Sequence, residues 1–213
     1  MIPAYERDPA AIYRKSFETI RDEAALERFG LDDRDVAIRL IHACGMVDLA
    51  DDLVFSGDPT RVARAALQSG CTIFCDVEMV AAGIIAKRLP GNCNIIVTLN
   101  DERTPDLAAE LNQTRSAAAL ELWRDRLAGS IAVIGNAPTA LFRLLEIIVD
   151  GGPKPAVILG LPVGFVGAAE SKQTLCDLNL DIPFMTVLGR RGGSAMASAA
   201  VNGIVAGLVE ENS

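Results

Sequence analysis

His42, the only histidine in the chain, is the side chain best suited to give or take a proton near neutral pH. It lies in the run RLIHACGM at residues 39–46, and in a helix Arg39 would share its face, three residues earlier. An arginine there would hold an anionic group beside the imidazole. The same spacing occurs where a histidine only packs in a core or on a surface, so the pattern alone leaves both interpretations open.

Three glycine-containing turns after short apolar runs could bind an anion or a flat ligand. IGNAPTAL at 134–141 places Asn136 before a proline that starts a helix, where free N–H groups can bind an anion. LGLPVGFVG at 159–167 has neither GxGxxG nor Walker spacing, so its glycines more simply permit a sharp turn or a close approach to a flat ligand. LGRRGGSAM at 188–196 places two arginines before a double glycine and a helix start, a turn that could bind a carboxylate or a phosphate.

Each of these turns also has a simpler explanation, as an ordinary connection or a solvated basic surface. Two smaller polar runs, around Ser16 in the first helix and TRS at 114–116, carry little weight alone. Lys172, just beyond the second turn, is equally compatible with facing a ligand and with facing solvent. The candidate binding residues are Ser16, Arg39, Arg115, Ser116, Asn136, Gly164, Lys172, Arg190, Arg191 and Gly192.

A fold must position these candidates, and short apolar runs that alternate with helical segments predict βαβ units around a mainly parallel sheet. Asp-Pro pairs at 8–9 and 58–59 mark helix starts early in the chain. We predict an α/β fold of three layers, α/β/α, as one domain over 1–213, with a helical extension over 1–70 and an α/β core over 71–213. The five predicted strands are 71–75, 93–99, 130–134, 156–159 and 184–188.

The predicted sheet explains how the candidate turns could act together. In open parallel sheets, ligands bind at the carboxyl ends of the strands, near the point where the strand order reverses. The turns after residues 134, 159 and 188 all follow predicted strands at that end. We therefore expect them to lie along one edge of the sheet, close to one another.

Composition and charge exclude several classes of protein. Half of the residues are hydrophobic and 23% are charged, which indicates a folded core rather than disorder. A formal net charge of −8 argues against a nucleic-acid partner. No signal peptide is visible, and the most apolar late stretch, 195–209, is short for a membrane span, so we expect a cytoplasmic protein without membrane contact. Five cysteines without CxxC spacing predict free thiols and no metal site.

Taken together, the polar runs resemble the precorrin-8X methylmutase family, which includes the cobalt-precorrin-8 methylmutases. The matching runs occur in family order and cover nearly the whole chain, which makes the set specific although each run alone is weak. After the histidine the chain departs from the family pattern, so no catalytic role is assigned to Asp48. The runs are SFETI (16–20), RLIHACGM (39–46), DVEMVAAGI (76–84), TRS (114–116), IGNAPTAL (134–141), GLPVGFV (160–166), ESK (170–172), GRRGGS (189–194) and AAVN (199–202).

The resemblance implies an isomerase of cobalamin biosynthesis that moves a methyl group from C-11 to C-12 of precorrin-8X, or of cobalt-precorrin-8. The product would be hydrogenobyrinic acid, or its cobalt form, cobyrinic acid. The family motif histidine falls on His42, which we expect to protonate or hydrogen-bond a pyrrole-type ring nitrogen. The resemblance also implies no cofactor, a homodimer that binds the tetrapyrrole close to the subunit interface, and transient contact with neighbouring enzymes of the pathway.

Two other functions remain open at this point. A tetrapyrrole carrier would bind and transfer the product without chemistry, and a His42→Ala variant would then keep tight binding. A nucleotide-binding α/β enzyme of unrelated chemistry is the second alternative. The missing GxGxxG and Walker spacings count against it.

Overall fold

The computed structural model of the chain describes residues 2–210 and is built around one six-stranded sheet. The strands are β1 (Leu53–Ser56), β2 (Thr72–Cys75), β3 (Asn94–Val97), β4 (Ile131–Ile134), β5 (Val157–Gly160) and β6 (Phe184–Val187). Their order across the sheet is β1-β6-β5-β4-β2-β3. Every neighbouring pair is parallel except β1 and β6, which run antiparallel at one edge.

Helices and two 3₁₀ turns connect the strands. Asp8 caps the first helix by accepting the Ala10 N–H through its side chain, and Gly45 ends the second in a left-handed conformation with φ of 71°. The α-helices are α1 (Pro9–Glu23), α2 (Leu31–Cys44), α3 (Leu49–Asp52), α4 (Pro59–Gln68), α5 (Glu78–Gly83), α6 (Thr104–Glu110), α7 (Arg115–Ala118), α8 (Pro138–Val149), α9 (Ala168–Asp177) and α10 (Ser194–Glu210). The 3₁₀ turns are Ala86–Arg88 and Ala119–Arg126.

The sheet separates two hydrophobic cores, because successive residues of a strand point to opposite faces. In β4, Ile131 and Val133 pack into the core formed with α2, α4 and α10, while Ala132 and Ile134 pack into the core formed with α8 and α9. Both faces of the central strands are therefore covered by helices. The predicted three-layer α/β fold with a mainly parallel sheet is confirmed.

The strand count differs from the prediction of five, because β1 is a sixth strand inside the segment expected to be helical. Its sequence, LVFS, is only four residues long and directly follows α3, so it shows no alternation that would indicate a strand. It is held as an edge strand by pairing with β6, for example Leu53 opposite Val187. The first 70 residues thus contribute to the sheet, while the division into extension and core stays a prediction.

The strand order reverses between β2 and β4. From β2 the chain moves outward to β3, and then returns across β2 to β4 and continues through β5 and β6 in the other direction. This is the position at which open α/β sheets commonly bind ligands. Within residues 2–210, no helix has both the length and the apolar character needed to cross a membrane.

Candidate active site

The crevice at the strand-order reversal is filled by a side chain of the protein itself. Asp76 directly follows β2, and its carboxylate accepts hydrogen bonds from the backbone N–H groups of Gly135, Asn136 and Ala137, each at 2.9 Å. Burial raises the pKa of the Asp76 carboxyl, and the three N–H donors act in the opposite direction. The protein therefore supplies its own anion to the turn that precedes α8.

This arrangement corrects the expectation that the turn before α8 offers free N–H groups to an external anion. The Asn136 N–H is bound to Asp76, and the Asn136 carbonyl accepts the Val163 N–H at 3.4 Å. A Cβ atom at Gly135 would lie 2.6 Å from the Ala197 Cβ, so helix α10 closes the crevice from one side. Only the Asn136 side chain is left to contact a ligand.

A separate groove of about 500 Å³ lies between α2 and the 3₁₀ turn Ala86–Arg88. Its floor is α10, and one wall is formed by α1 and α2. We call it the His42 groove. Its lining includes Tyr13, Arg39, His42, Ile85, Arg88, Ala199 and Asn202.

Helix α10 positions both walls of the His42 groove. Gly203 has no side chain, and a Cβ atom there would lie 3.1 Å from the Arg39 Cδ, so α2 can pack closely enough to direct Arg39 along the groove. On the other wall, the Asn202 side chain accepts the Ile85 N–H and donates to the Gly83 carbonyl, each at 2.9 Å. One helix thus fixes the spacing between the two walls.

His42 is exposed to the groove, and one of its ring nitrogens is already engaged. Its Nδ1 lies 2.8 Å from the Ser16 hydroxyl oxygen. The imidazole centroid lies 5.6 Å from that of Tyr13 and 5.4 Å from that of Phe17, whose ring meets it edge-on. Two aromatic rings and one hydrogen bond therefore hold the imidazole in a single orientation, with Nε2 as the ring nitrogen available to a ligand.

Two arginines give the groove a local positive charge in an acidic protein. Arg39 donates to the Tyr13 hydroxyl at 2.6 Å and lies 5.6 Å from the centre of the Phe17 ring. Arg88 lines the opposite wall. In the described part of the chain, neither guanidinium forms an ion pair with a carboxylate, so both charges are available to an anionic ligand.

A second cavity of about 450 Å³ lies on the α1 side of the histidine. It is lined by Ile12, Lys15, Ser16 and Glu23 among others, and His42 lines this cavity as well as the groove. The hydrogen-bonded pair of Ser16 and His42 therefore separates the two spaces.

The predicted glycine turns after β5 and β6 pack against each other at the carboxyl edge of the sheet. We call residues 161–167 the β5 loop and residues 188–193 the β6 loop. The Gly164 N–H donates to the Arg190 carbonyl at 3.3 Å, and the Gly193 N–H donates to the Leu161 carbonyl at 2.8 Å. The Arg190 guanidinium lies 5.4 Å from the centre of the exposed Phe165 ring.

Two predicted binding residues in this region contact the protein instead. Lys172 is completely buried, and its Nζ donates to the backbone carbonyls of Pro162 at 3.1 Å and Arg191 at 2.5 Å. The Arg191 side chain pairs with Asp48 at 2.9 Å and also with Asp52, so it connects the β6 loop to the N-cap and the last residue of α3. Neither side chain lines the His42 groove.

The structure brings Ser16, Arg39 and His42 together and distributes the other predicted residues along the carboxyl edge. Arg115 donates to the Leu99 carbonyl at 3.1 Å and the Asn100 side chain at 3.2 Å, which places it after β3. Ser116 follows it in α7. Helix α7 carries Arg115 and Ser116, and the loops after β4, β5 and β6 carry Asn136, Gly164, Arg190 and Gly192, all outside the groove lining.

Three polar groove residues were not among the site residues predicted from the sequence, namely Tyr13, Arg88 and Asn202. Arg88 follows the short helix α5 in a 3₁₀ turn, and no spacing rule connects it with His42. Tyr13 lies one turn before Ser16 on α1 and could have been found from that periodicity. Asn202 looks like an isolated polar residue in an apolar helix until the fold places it against Gly83.

Among residues 2–210, no group of three or more His, Cys, Asp or Glu side chains is arranged to hold a metal ion. The five cysteines are free thiols. The chemistry that the groove itself offers is proton transfer at His42 combined with recognition of anionic groups by arginine.

Comparisons with known proteins agree with this arrangement. A family model described as precorrin-8X methylmutase matches residues 11–206. The chain is 58% identical to a precorrin-8X methylmutase of Sinorhizobium sp., over 94% of this chain and 95% of the relative. It is 37% identical to a cobalt-precorrin-8 methylmutase of Priestia megaterium, over 92% and 87% of the two chains.

A solved structure, the precorrin-8x methyl mutase from Thermus thermophilus, superposes with a TM-score of 0.84 at 30% identity and covers 95% of this chain and 100% of that one. The match therefore extends over the fold as well as over the sequence. On the family model, the identity to curated relatives and the shared fold, the chain belongs to the precorrin-8X methylmutase family.

Proposed function

We propose that this isomerase of cobalamin biosynthesis moves the methyl group from C-11 to C-12 of precorrin-8X, with part of the macrocycle bound in the His42 groove. The observation that carries the proposal is the Ser16–His42 pair, because it fixes an imidazole at the edge of a cavity that is also lined by Arg39 and Arg88. A methyl shift around a conjugated ring needs the reactive tautomer to be held in one geometry. Positioning and proton supply are therefore the tasks of the site.

With the Ser16 hydroxyl as the donor to Nδ1 in the neutral state, His42 presents an Nε2–H donor in either protonation state. If the imidazole is neutral and the Ser16 hydroxyl donates to Nδ1, the ring proton is on Nε2. If the ring is an imidazolium, Nδ1–H donates to the Ser16 oxygen and Nε2 again carries a proton. A pyrrole-type ring nitrogen beside Nε2 would accept this proton or hydrogen bond, and general acid catalysis of this kind contributes about 10²–10⁴-fold.

Arg39 and Arg88 are the proposed contacts for the carboxylate side chains of the substrate. They come from opposite walls of the groove, so they can hold two carboxylates at different edges of a flat ring. The small floor residue Ala199 leaves room for the ring between them. We propose that the residues at the carboxyl edge of the sheet contact the remaining carboxylates, and the candidates are Arg115, Ser116, Asn136, Gly164, Arg190 and Gly192.

The role of Arg88 can be tested with a neighbouring lysine as the matched control. Lys87 lies in the same 3₁₀ turn but does not line the groove. For conversion of precorrin-8X we expect Arg88→Ala to raise KM about 10-fold, the loss of roughly one charge-assisted contact. Lys87→Ala should leave KM within about 2-fold of the parent. Equal KM values for the two variants would remove Arg88 from the substrate site.

The metal-free substrate is the better candidate of the two family substrates. Support comes from the higher identity to a relative named for precorrin-8X, 58%, than to one named for cobalt-precorrin-8, 37%. The purified protein should therefore convert precorrin-8X faster than cobalt-precorrin-8 when both are followed by ultraviolet–visible absorption. Faster turnover of the cobalt form would reverse the assignment. Binding of both without turnover would instead favour the carrier function.

We also propose that the enzyme is a cytoplasmic homodimer. The apolar side chain of Met79, in helix α5 at the carboxyl edge, is 72% exposed in the single chain, and a partner subunit could cover it. Free thiols are the state expected in the cytoplasm. Sedimentation equilibrium should give twice the chain mass, and Met79→Glu should weaken the association. A monomer at assay concentration would contradict the dimer.

A further inference from the structure

Lys172 of α9 is a buried cation that forms no ion pair with a carboxylate among residues 2–210. Its side chain has no exposure to solvent, and it donates to two neutral backbone carbonyls, those of Pro162 and Arg191. Burying an ammonium group in this way is costly, and desolvation lowers the pKa of Lys172 to about 8. The charge of Asp52 acts on this pKa in the opposite direction.

The Pro162 carbonyl belongs to the β5 loop and the Arg191 carbonyl to the β6 loop, so the two hydrogen bonds of Lys172 connect these loops. The loops also touch directly at Gly192, where a Cβ atom would lie 2.4 Å from the Pro162 carbonyl oxygen. The φ of Gly192 is +156°, a conformation that favours glycine. Backbone bonds from Gly164 to Arg190 and from Gly193 complete the junction.

The outer side of this junction exposes a flat apolar surface with a cation. Phe165 and Val166 are largely exposed, and the Arg190 guanidinium lies 5.4 Å from the centre of the Phe165 ring. Such a surface is suited to a flat conjugated ring whose periphery carries carboxylates. Its shape depends on both loops keeping one relative position.

We propose that Lys172 is a positioning residue that holds the β5 and β6 loops in the arrangement in which Phe165 and Arg190 contact the tetrapyrrole. This inference rests on the proposed function and adds a determinant of substrate affinity. Lys172 does not touch the substrate, because the two loops enclose it completely. It acts on binding of the ring rather than on the proton transfer at His42.

The test compares Lys172→Met with Lys154→Met. Lys154 also donates to a backbone carbonyl, that of Leu180 at 2.9 Å, but it is exposed to solvent and remote from the loops. For precorrin-8X conversion, Lys172→Met should raise KM about 10-fold with kcat within about 2-fold, because two ring-contacting side chains lose their fixed positions. Lys154→Met should change neither value.

Amide hydrogen exchange gives a readout that does not depend on turnover. In Lys172→Met, peptides covering 161–167 and 188–193 should exchange at least about 10-fold faster, while strand β4 keeps the parent rate. Should Lys172→Met fail to fold, Gly192→Ala separates the same loops with Lys172 intact and should raise KM in the same way. A fall in kcat at unchanged KM, or unchanged KM in both variants, would overturn the inference. Failure of the parent to convert precorrin-8X would instead refute the proposed function.

Discussion

Replacing Asp76 by asparagine should destabilise the fold by about 3 kcal/mol, because the buried carboxylate holds the turn before α8 with three backbone N–H bonds. Asparagine keeps the shape but has one acceptor oxygen and one NH₂ group. The oxygen can retain at most the two N–H groups that share Oδ2, those of Asn136 and Ala137. The NH₂ group then faces the Gly135 N–H, and both donors are left unsatisfied.

The magnitude follows from those contacts. Losing one hydrogen bond to a charged group costs about 1.5–3 kcal/mol, and an unsatisfied buried donor costs about 1–3 kcal/mol. Removing the buried charge offsets part of this sum, since burial already disfavours the ionised Asp76. About 3 kcal/mol corresponds to a fall in Tm of roughly 6–12 °C for a chain of this size.

Urea unfolding followed by circular dichroism measures the effect directly. Asp125→Asn is the matched control, because Asp125 is exposed and forms no ion pair within the described residues; it should stay within about 0.5 kcal/mol of the parent. If Asp76→Asn unfolds at the same urea concentration as the parent, then the three N–H bonds do not hold the turn. The explanation of why this crevice accepts no external anion would fail with them.

Three further outcomes are expected. Ser16→Ala should lower kcat about 5-fold in the spectroscopic assay with an unchanged unfolding midpoint, since one hydrogen bond that orients His42 is worth about 1 kcal/mol. Gly135→Ala should lower the free energy of unfolding by about 2 kcal/mol in urea, because its Cβ would lie 2.6 Å from the Ala197 Cβ. Burial lowers the pKa of Lys172 to about 8 in the folded state, so above that pH the lysine loses its proton in the folded chain while it stays protonated in the unfolded chain. The stability of the parent relative to Lys172→Met should therefore rise by about 1.4 kcal/mol per pH unit between about pH 8 and 10. A stability difference that stays flat or falls over this range would contradict the burial of the charge.

The parallel strands and their order of appearance were predictable, because each is a short apolar run between helix signals. Strand β1 was not, since its four residues carry no period of their own and become a strand only through pairing with β6. Such long-range pairing is not encoded in local pattern. The sequence therefore indicated the five parallel strands, including the edge strand β3, but not the antiparallel edge strand β1.

The candidate site likewise contains residues whose proximity the sequence predicts and others that only the fold brings together. Arg39 and His42 are three residues apart on one helix, so their proximity follows from helical geometry. Arg88 reaches the same groove only because Asn202 and α10 fix the opposite wall. Lys172 and Arg191 were predicted to bind substrate. The burial of Lys172 and the ion pairs of Arg191 with Asp48 and Asp52 arise from the tertiary structure, which residue type alone does not reveal.

The most direct test of the central claim is single-turnover conversion of precorrin-8X by the parent and by His42→Ala, with binding measured in parallel. The expected result is conversion to hydrogenobyrinic acid by the parent, and a variant that binds precorrin-8X with similar affinity but converts it at least about 10²-fold more slowly. Equal conversion by both proteins would contradict the assignment of proton transfer to His42.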